Sequence, residues 1–237
     1  MWIVGFSTTF IGLIIGGGLA AIVNQTTRSI ATIFALCAGL LLGLLSLEIA
    51  PEAIHLGGWL VFGVGFFGGV LLFVITHKWL HRYPIIRKDA QKTQWIRSGI
   101  LLAVIILLHN LPMGVVLGAS HHTTLNLSLL QALALHTIPE GMILFTPLLL
   151  ARVRVTVIFL LAIIVSIPVG IGAYIGNEMG QQFDMLLGLL ISVTVGTIYM
   201  ITIKEILPEA VKRSSNLSSL FIVCIGFGVM WVYMFIV

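Results

Sequence analysis

The chain contains one apolar segment twice: it reads GLLLGLLSLEIAPEAI at positions 39–54 and GTIYMITIKEILPEAV at positions 196–211. The acids and the proline of the first copy recur after 157 residues: Glu48, Pro51 and Glu52 return as Glu205, Pro208 and Glu209. The two copies lie in segments that are predicted to cross a membrane in opposite directions. The sequence therefore predicts an inverted repeat, in which two related helix bundles flank a region near the membrane midplane.

The composition of the 237 residues excludes a soluble globular protein. Apolar residues make up 59% of the chain and charged residues 8%, and the mean hydropathy is +1.16. Ordinary soluble domains carry about 25% charged residues, which leaves too few charges here to cover a surface in water. Stretches near 20 apolar residues are typical of membrane-spanning helices. We predict eight, at 2–23, 30–54, 58–80, 99–120, 125–151, 155–175, 185–207 and 217–237.

The basic residues predict the orientation of these spans. Of the twelve Lys and Arg residues, eleven lie in or beside the odd-numbered connections, and the even-numbered connections contain none. By the positive-inside rule, the odd connections are cytoplasmic and both termini lie outside. Because topology accounts for the basic residues, no nucleic-acid partner is indicated.

The predicted fold is an all-α polytopic membrane protein with eight transmembrane helices in a 3+2+3 inverted-repeat arrangement. Residues 1–237 form a single transmembrane domain, with a first three-helix repeat at 1–80 and a second at 155–237. A central helix pair spans 99–151, and 81–98 is a cytoplasmic loop. The short connections predict a multi-pass protein of the cell (inner) membrane, and a homodimer is left open.

Three ionisable residues lie near the middle of the central pair: His109, His136 and Glu140. An ionisable side chain in hydrocarbon costs roughly 2.5 to 3.5 kcal/mol on insertion scales, so each needs a partner or a task. His136 and Glu140 are four residues apart and therefore share one face of a helix. Pro112 and Pro139 each remove a backbone donor close to these residues.

The residue types point to a metal ion. Imidazole and carboxylate groups suit zinc, iron and similar divalent ions, and the thioether of Met113, one turn after His109, is a softer ligand. The alternative is that each histidine only forms hydrogen bonds between helices. Met113 on its own is more typical of core packing than of metal binding.

These motifs resemble the ZIP (Zrt-, Irt-like protein) family of divalent-metal transporters, in its bacterial type. The resemblance depends on HNLPMG at 109–114, LALHTIPEG at 133–141, EILPEA at 205–210 and the eight-span plan. It implies movement of a divalent metal into the cytosol through a site between the fourth and fifth spans, which is binuclear in many members. Position by position, it implies that His109, His136 and Glu140 are ligands of the main site and that Asn110 belongs to the second.

Three positions depart from the family pattern around the second site. Met113 replaces an acid, Thr137 replaces Asn or Asp, and Ile167 replaces an acid before Pro168. We therefore predict a mononuclear site.

The acids of the repeat are predicted to lie at the two ends of the path. We assign Glu48 and Glu52 to an entrance and Glu205 and Glu209 to an exit, because acidic rims attract cations. The alternative is that these acids are simply solvated at helix ends.

The expected function is inward transport of zinc, with iron and manganese as alternatives. The metal is cargo, and no cofactor or enzymatic activity is expected; the partners are metal ions and the lipid bilayer. Two other functions remain open, a metal-binding membrane receptor or scaffold without transport and, less favoured, a membrane-embedded metallohydrolase. The HExxH signature of helical zinc hydrolases does not occur in the sequence.

Overall fold

The computed structural model describes residues 1–23, 27–82, 90–120, 125–179 and 184–236, and this part of the chain is helical with short connections and no β-strand. The α-helices are α1 (Trp2–Ile22), α2 (Thr27–Leu44), α3 (Ala50–His81), α4 (Ala90–Ala119), α5 (Leu125–Leu150), α6 (Val155–Met179), α7 (Asp184–Ile201), α8 (Leu207–Arg213) and α9 (Asn216–Ile236). Two π-helical segments, Leu45–Ile49 and Thr202–Ile206, join α2 to α3 and α7 to α8.

Seven helical stretches in the described ranges are long and apolar enough to cross a membrane. This agrees with a polytopic membrane protein. One stretch, Ser29–Leu80, is 52 residues long and includes both the second and the third predicted spans. The sequence predicts that one span ends at residue 54 and that the next begins at residue 58. In the structure the residues between them are helical, and the first departure from helical geometry is at Gly58.

The long stretch changes direction at Gly58, the only residue inside α3 with non-helical angles (φ 72°, ψ 171°). A positive φ with an extended ψ is costly for any residue with a Cβ atom, whereas glycine adopts it readily. Gly58 therefore separates the first part of α3, which contains Glu52, from the second part, which contains His77.

The two π-helical segments occupy equivalent places in the sequence repeat. Leu45–Ile49 contains Glu48, and Thr202–Ile206 contains Glu205. Each segment ends two residues before a proline, Pro51 or Pro208. A π-helical turn often marks a functional position inside a helix, and here it carries the first acid of each copy.

Four pairs of helices approach closely at glycines: α1 with α5, α2 with α9, α3 with α7 and α4 with α6. A Cβ atom at Gly16 would collide with the backbone of α5 at Ile138, and one at Gly39 would collide with the backbone of α9 at Val223. Glycines at such positions let helix backbones come close together in a membrane. Contacts advance in the same direction along both helices of each pair, so the partners are parallel.

Large apolar side chains cover the outside of the bundle. Exposed examples are Trp59, Phe67, Phe159 and Phe221, on α3, α6 and α9. Because lipid is apolar, these side chains suit a lipid-facing surface. The central helices α4 and α5 are buried along most of their length, which places His109 and His136 inside the bundle.

Helix α4 begins at Ala90, nine residues before the predicted span at position 99. Residues 90–98, which the sequence assigns to a loop, are thus helical, because this polar segment is composed mainly of good helix formers such as Ala, Gln, Lys and Arg. Positions 83–89 of the predicted loop lie outside the described residues.

Candidate functional site

His109 of α4 and His136 of α5 are each 1% exposed and are held in the same way. The Nδ1 atom of His109 lies 3.1 Å from the carbonyl oxygen of Ile105, and Nδ1 of His136 lies 2.6 Å from that of Ala132. A carbonyl oxygen can only accept a hydrogen bond, so each neutral ring carries its proton on Nδ1. Each Nε2 atom then presents a lone pair, the form in which histidine binds a metal.

Glu140 brings its carboxylate to these two nitrogen atoms. Its Oε1 atom lies 3.0 Å from Nε2 of His109, and ligand atoms of His109, His136 and Glu140 all lie within 4.8 Å of one another. Ligands of a four-coordinate zinc ion, about 2.0–2.1 Å from the metal, are roughly 3.3 Å apart. The three side chains therefore need only small adjustments to share one ion.

The convergent atoms lack hydrogen bonds in the described part of the chain. This holds for Nε2 of both histidines and for both carboxylate oxygens of Glu140, all of them buried. Buried polar atoms in native proteins are nearly always satisfied. A cation between the three side chains would accept their lone pairs and remove this cost.

Asn110 and Met113 lie beside His109 on α4 and are also buried. The side-chain amide of Asn110 donates to the carbonyl oxygen of Val165 at 2.9 Å and so joins α4 to α6, while its Oδ1 atom has no hydrogen-bond partner among the described residues. Met113 is one turn beyond His109, with 3% of its surface exposed. It offers only a thioether where the resemblance implies an acid.

Thr137 faces α1. Its hydroxyl group donates to the carbonyl oxygen of Ala134 at 3.2 Å, and Gly12 packs against the same side chain. Ile167, at the third position that departs from the family pattern, is 42% exposed on the outside of α6, and its buried neighbour is Ser166. Position 167 is therefore not a ligand position here, because its side chain points away from α4.

The acids assigned to the entrance, Glu48 and Glu52 (the outer acids), line a cavity of about 490 Å³. Glu48, Glu52 and His55 lie on one wall, and Ala132 lies on another. Buried carboxylate atoms of Glu48 (Oε2) and Glu52 (Oε1) have no hydrogen-bond partner in the described ranges. Since the carbonyl of Ala132 holds His136, the cavity reaches to within one helical turn of the central cluster.

The acids assigned to the exit, Glu205 and Glu209 (the inner acids), each have a polar partner. Glu205 lies 3.0 Å from Nε2 of His77 on α3, and Glu209 accepts a hydrogen bond of 2.7 Å from Arg213. Sequence spacing gives no signal for the first pair, because its members are 128 residues apart. His77 is thus a residue at the proposed exit that sequence reasoning missed.

Comparison with known protein families identifies the chain. The sequence model of the ZIP zinc transporter family matches residues 86–234, which include all three residues of the central cluster and both inner acids. A comparison with curated proteins found no match. The match covers more than half of the 237 residues. The chain therefore belongs to the ZIP zinc transporter family.

Proposed function

We propose that this protein carries a divalent cation, zinc above all, across the membrane into the cytosol, and that one ion binds between His109, His136 and Glu140. Membership of the ZIP family supports divalent-metal transport and a role other than that of an enzyme. The observation that carries the site is the convergence of three buried side chains whose ligand atoms lie within 4.8 Å of one another. Iron and manganese remain alternative cargoes, since affinity alone does not decide selectivity in cells.

The path would connect the two acidic ends through this cluster. Glu48 and Glu52 are proposed to capture the ion at the entrance, where the outer cavity extends to Ala132. Glu205 and Glu209 are proposed to receive it at the exit. Their contacts with His77 and Arg213 would have to open or shift as the ion leaves.

An arrangement of eight membrane crossings accounts for the helical architecture. The stretch Ser29–Leu80 has 52 residues, and at about 1.5 Å per residue it is more than twice as long as a hydrocarbon core of about 30 Å. We propose that Gly58 divides it into two crossings. An inverted 3+2+3 repeat would then relate α1 with α5 to α6 with α4, and α2 with α9 to α7 with α3, which are the four observed close pairs.

We propose that the site holds one ion because the residues beside it are poor ligands. The side chain of Thr137 packs against Gly12, and Met113 has no carboxylate. The region next to Glu140 therefore offers fewer hard ligands than a second divalent ion requires.

The orientation and location are also proposals. The basic end of the bundle is assigned to the cytosol by the positive-inside rule, with the cell (inner) membrane as the location. A homodimer stays a prediction.

Metal uptake into proteoliposomes that contain the purified protein tests the proposal. We expect the wild-type protein to carry zinc, and iron or manganese less well, and we expect Glu140→Ala to reduce uptake to the level of empty vesicles. Glu178→Ala is the matched control, because Glu178 is an exposed acid near the end of α6. Both variants must first give a single peak on size exclusion and a cooperative melt.

Two results would overturn the proposal. Wild-type protein that binds zinc but moves none of the three metals would indicate a receptor or scaffold. A Glu140→Ala variant that transports as well as the control would remove the central cluster from the path.

A further inference from the structure

A polar cavity of about 280 Å³ lies at the basic end of the bundle. Its walls come from three elements, α4, the second π-helical segment and α8, and from neighbouring parts of α2 and α5. Two inner acids line it, but so do several groups that repel a cation. The proposed exit therefore also has a feature that metal transport does not explain.

The cavity carries a surplus of positive charge. Its lining includes Arg97, Lys204 and Lys212, against the two acids Glu205 and Glu209. Glu209 is also engaged from outside the lining by Arg213, whose Nε atom lies 2.7 Å from its carboxylate. Glu205 is engaged by His77 at 3.0 Å. The lining thus holds three cationic groups against two carboxylates, one of which, Glu209, also lies 3.9 Å from Lys212, and this surplus of positive charge favours an anion.

The donors of the cavity come from a single face of α4. Gln94, Arg97 and Ser98 are three and four residues apart and so lie side by side on the helix. Trp95 is 8% exposed and is packed under the Arg213 guanidinium, 4.3 Å from the ring centre. This contact fixes the first turns of α4 against α8, which holds the donor groups in place.

We propose that this cavity binds a phosphate group, supplied either by the headgroup of an anionic lipid or by a soluble phosphate compound. A guanidinium, two ammonium groups, an amide and a hydroxyl match the several oxygen atoms and the negative charge of phosphate. Basic pockets between membrane helices on the cytoplasmic side are a known way of holding lipid headgroups. A bound phosphate offsets the positive charge that an ion meets at this end of the bundle.

The inference goes beyond the proposed function, because it concerns an anion and stands whether or not the central cluster binds a metal. Its test therefore uses binding measurements without a transition metal. Failure of zinc transport would leave the anion site untouched, and failure of phosphate binding would leave the transport proposal untouched.

The test uses the full-length protein in two preparations. In detergent, the protein is titrated with inorganic phosphate, and the affinity is followed by calorimetry at low salt. In nanodiscs, bound lipid is measured by native mass spectrometry, with phosphatidic acid compared with phosphatidylcholine. The test variant is Lys204→Gln/Lys212→Gln, since both side chains are exposed and their loss leaves the packing of α4 intact.

A matched control removes the same charge from the same end of the molecule. Lys92→Gln/Arg154→Gln serves this purpose, because neither residue lines the cavity. We expect the test variant to bind phosphate roughly tenfold more weakly than the control, and added NaCl to weaken binding to the wild type.

Each outcome decides one point. Phosphate binding that the test variant loses and the control keeps supports a site open to soluble phosphate. A lipid site is supported if the control retains phosphatidic acid over phosphatidylcholine, the test variant does not, and inorganic phosphate does not bind. If neither probe binds, or if both variants lose binding to the same extent, the proposal is wrong.

Discussion

Gly12 of α1 packs directly on the side chain of Thr137 of α5, so closely that a methyl group at position 12 would overlap the Thr137 hydroxyl. We expect Gly12→Ala to destabilise the protein by about 1–3 kcal/mol, the usual cost of overpacking. A lower melting temperature in detergent would be the measure. Gly18→Ala is the control and should not melt below the wild type, because a Cβ at that position would meet no atom of another described segment within 4 Å.

The same contact can be tested by a double variant. Adding Thr137→Ala to Gly12→Ala removes the hydroxyl that the new methyl group would strike, and part of the lost stability should return. A double variant that melts at the temperature expected from adding the two single effects would contradict a direct clash.

The central cluster should bind one zinc ion per chain. Thr137 and Met113 offer weaker ligands than the carboxylates and amides that a second ion would need. Equilibrium dialysis followed by elemental analysis measures the stoichiometry, with Glu140→Ala expected to fall to the background. Two tightly bound ions that both disappear in Glu140→Ala would show that the site is binuclear.

Loss of the outer acids should affect capture of the ion. Glu48→Gln/Glu52→Gln is expected to raise the KM for zinc uptake several-fold at low salt and to change the maximum rate little, because these acids concentrate cations near the entrance. High ionic strength should shrink the difference. Glu178→Gln, which removes an acid that does not line the outer cavity, should keep the wild-type KM. An unchanged KM in the double variant would argue for acids that are merely solvated.

The pair formed by His77 and Glu205 should control release of the ion. Glu205→Gln removes the carboxylate that lies 3.0 Å from His77, and we expect a lower maximum rate of uptake while zinc binding at the central cluster keeps its stoichiometry. His77→Gln tests the partner. If the two residues act through their contact, the combined variant should be no slower than the slower single variant. Additive losses would show that they act separately.

Trp95 and Arg213 should contribute to stability at the basic end. The guanidinium lies 4.3 Å from the ring centre, and contacts of this kind are worth about 0.5–2 kcal/mol. Trp95→Leu should therefore lower the melting temperature. Trp231→Leu is the control, because Trp231 is 52% exposed on the outside of α9. Equal shifts for the two variants would contradict a specific role for the cation–π contact.

Part of the candidate site was predictable because polar groups are rare in this chain. In an apolar span, His109, His136 and Glu140 are conspicuous, and four-residue spacing alone places His136 and Glu140 on one face of a helix. Their role as metal ligands stays a prediction. A contact between residues far apart in the sequence produces no such spacing. The sequence therefore did not predict the contact between His77 and Glu205.

The sequence by itself determined the class of protein and which segments form long apolar helices. The reason is that the hydropathy of about 20 consecutive residues is a local property, and it decides whether a segment is stable in lipid. It did not predict the π-helical turns at Glu48 and Glu205. Only tertiary packing brought Nε2 of His109 to within 3.0 Å of Glu140. The physical reason is that such distances depend on how closely neighbouring helices approach, and in this bundle glycines such as Gly12, Gly16 and Gly141 permit that approach only with a particular partner helix.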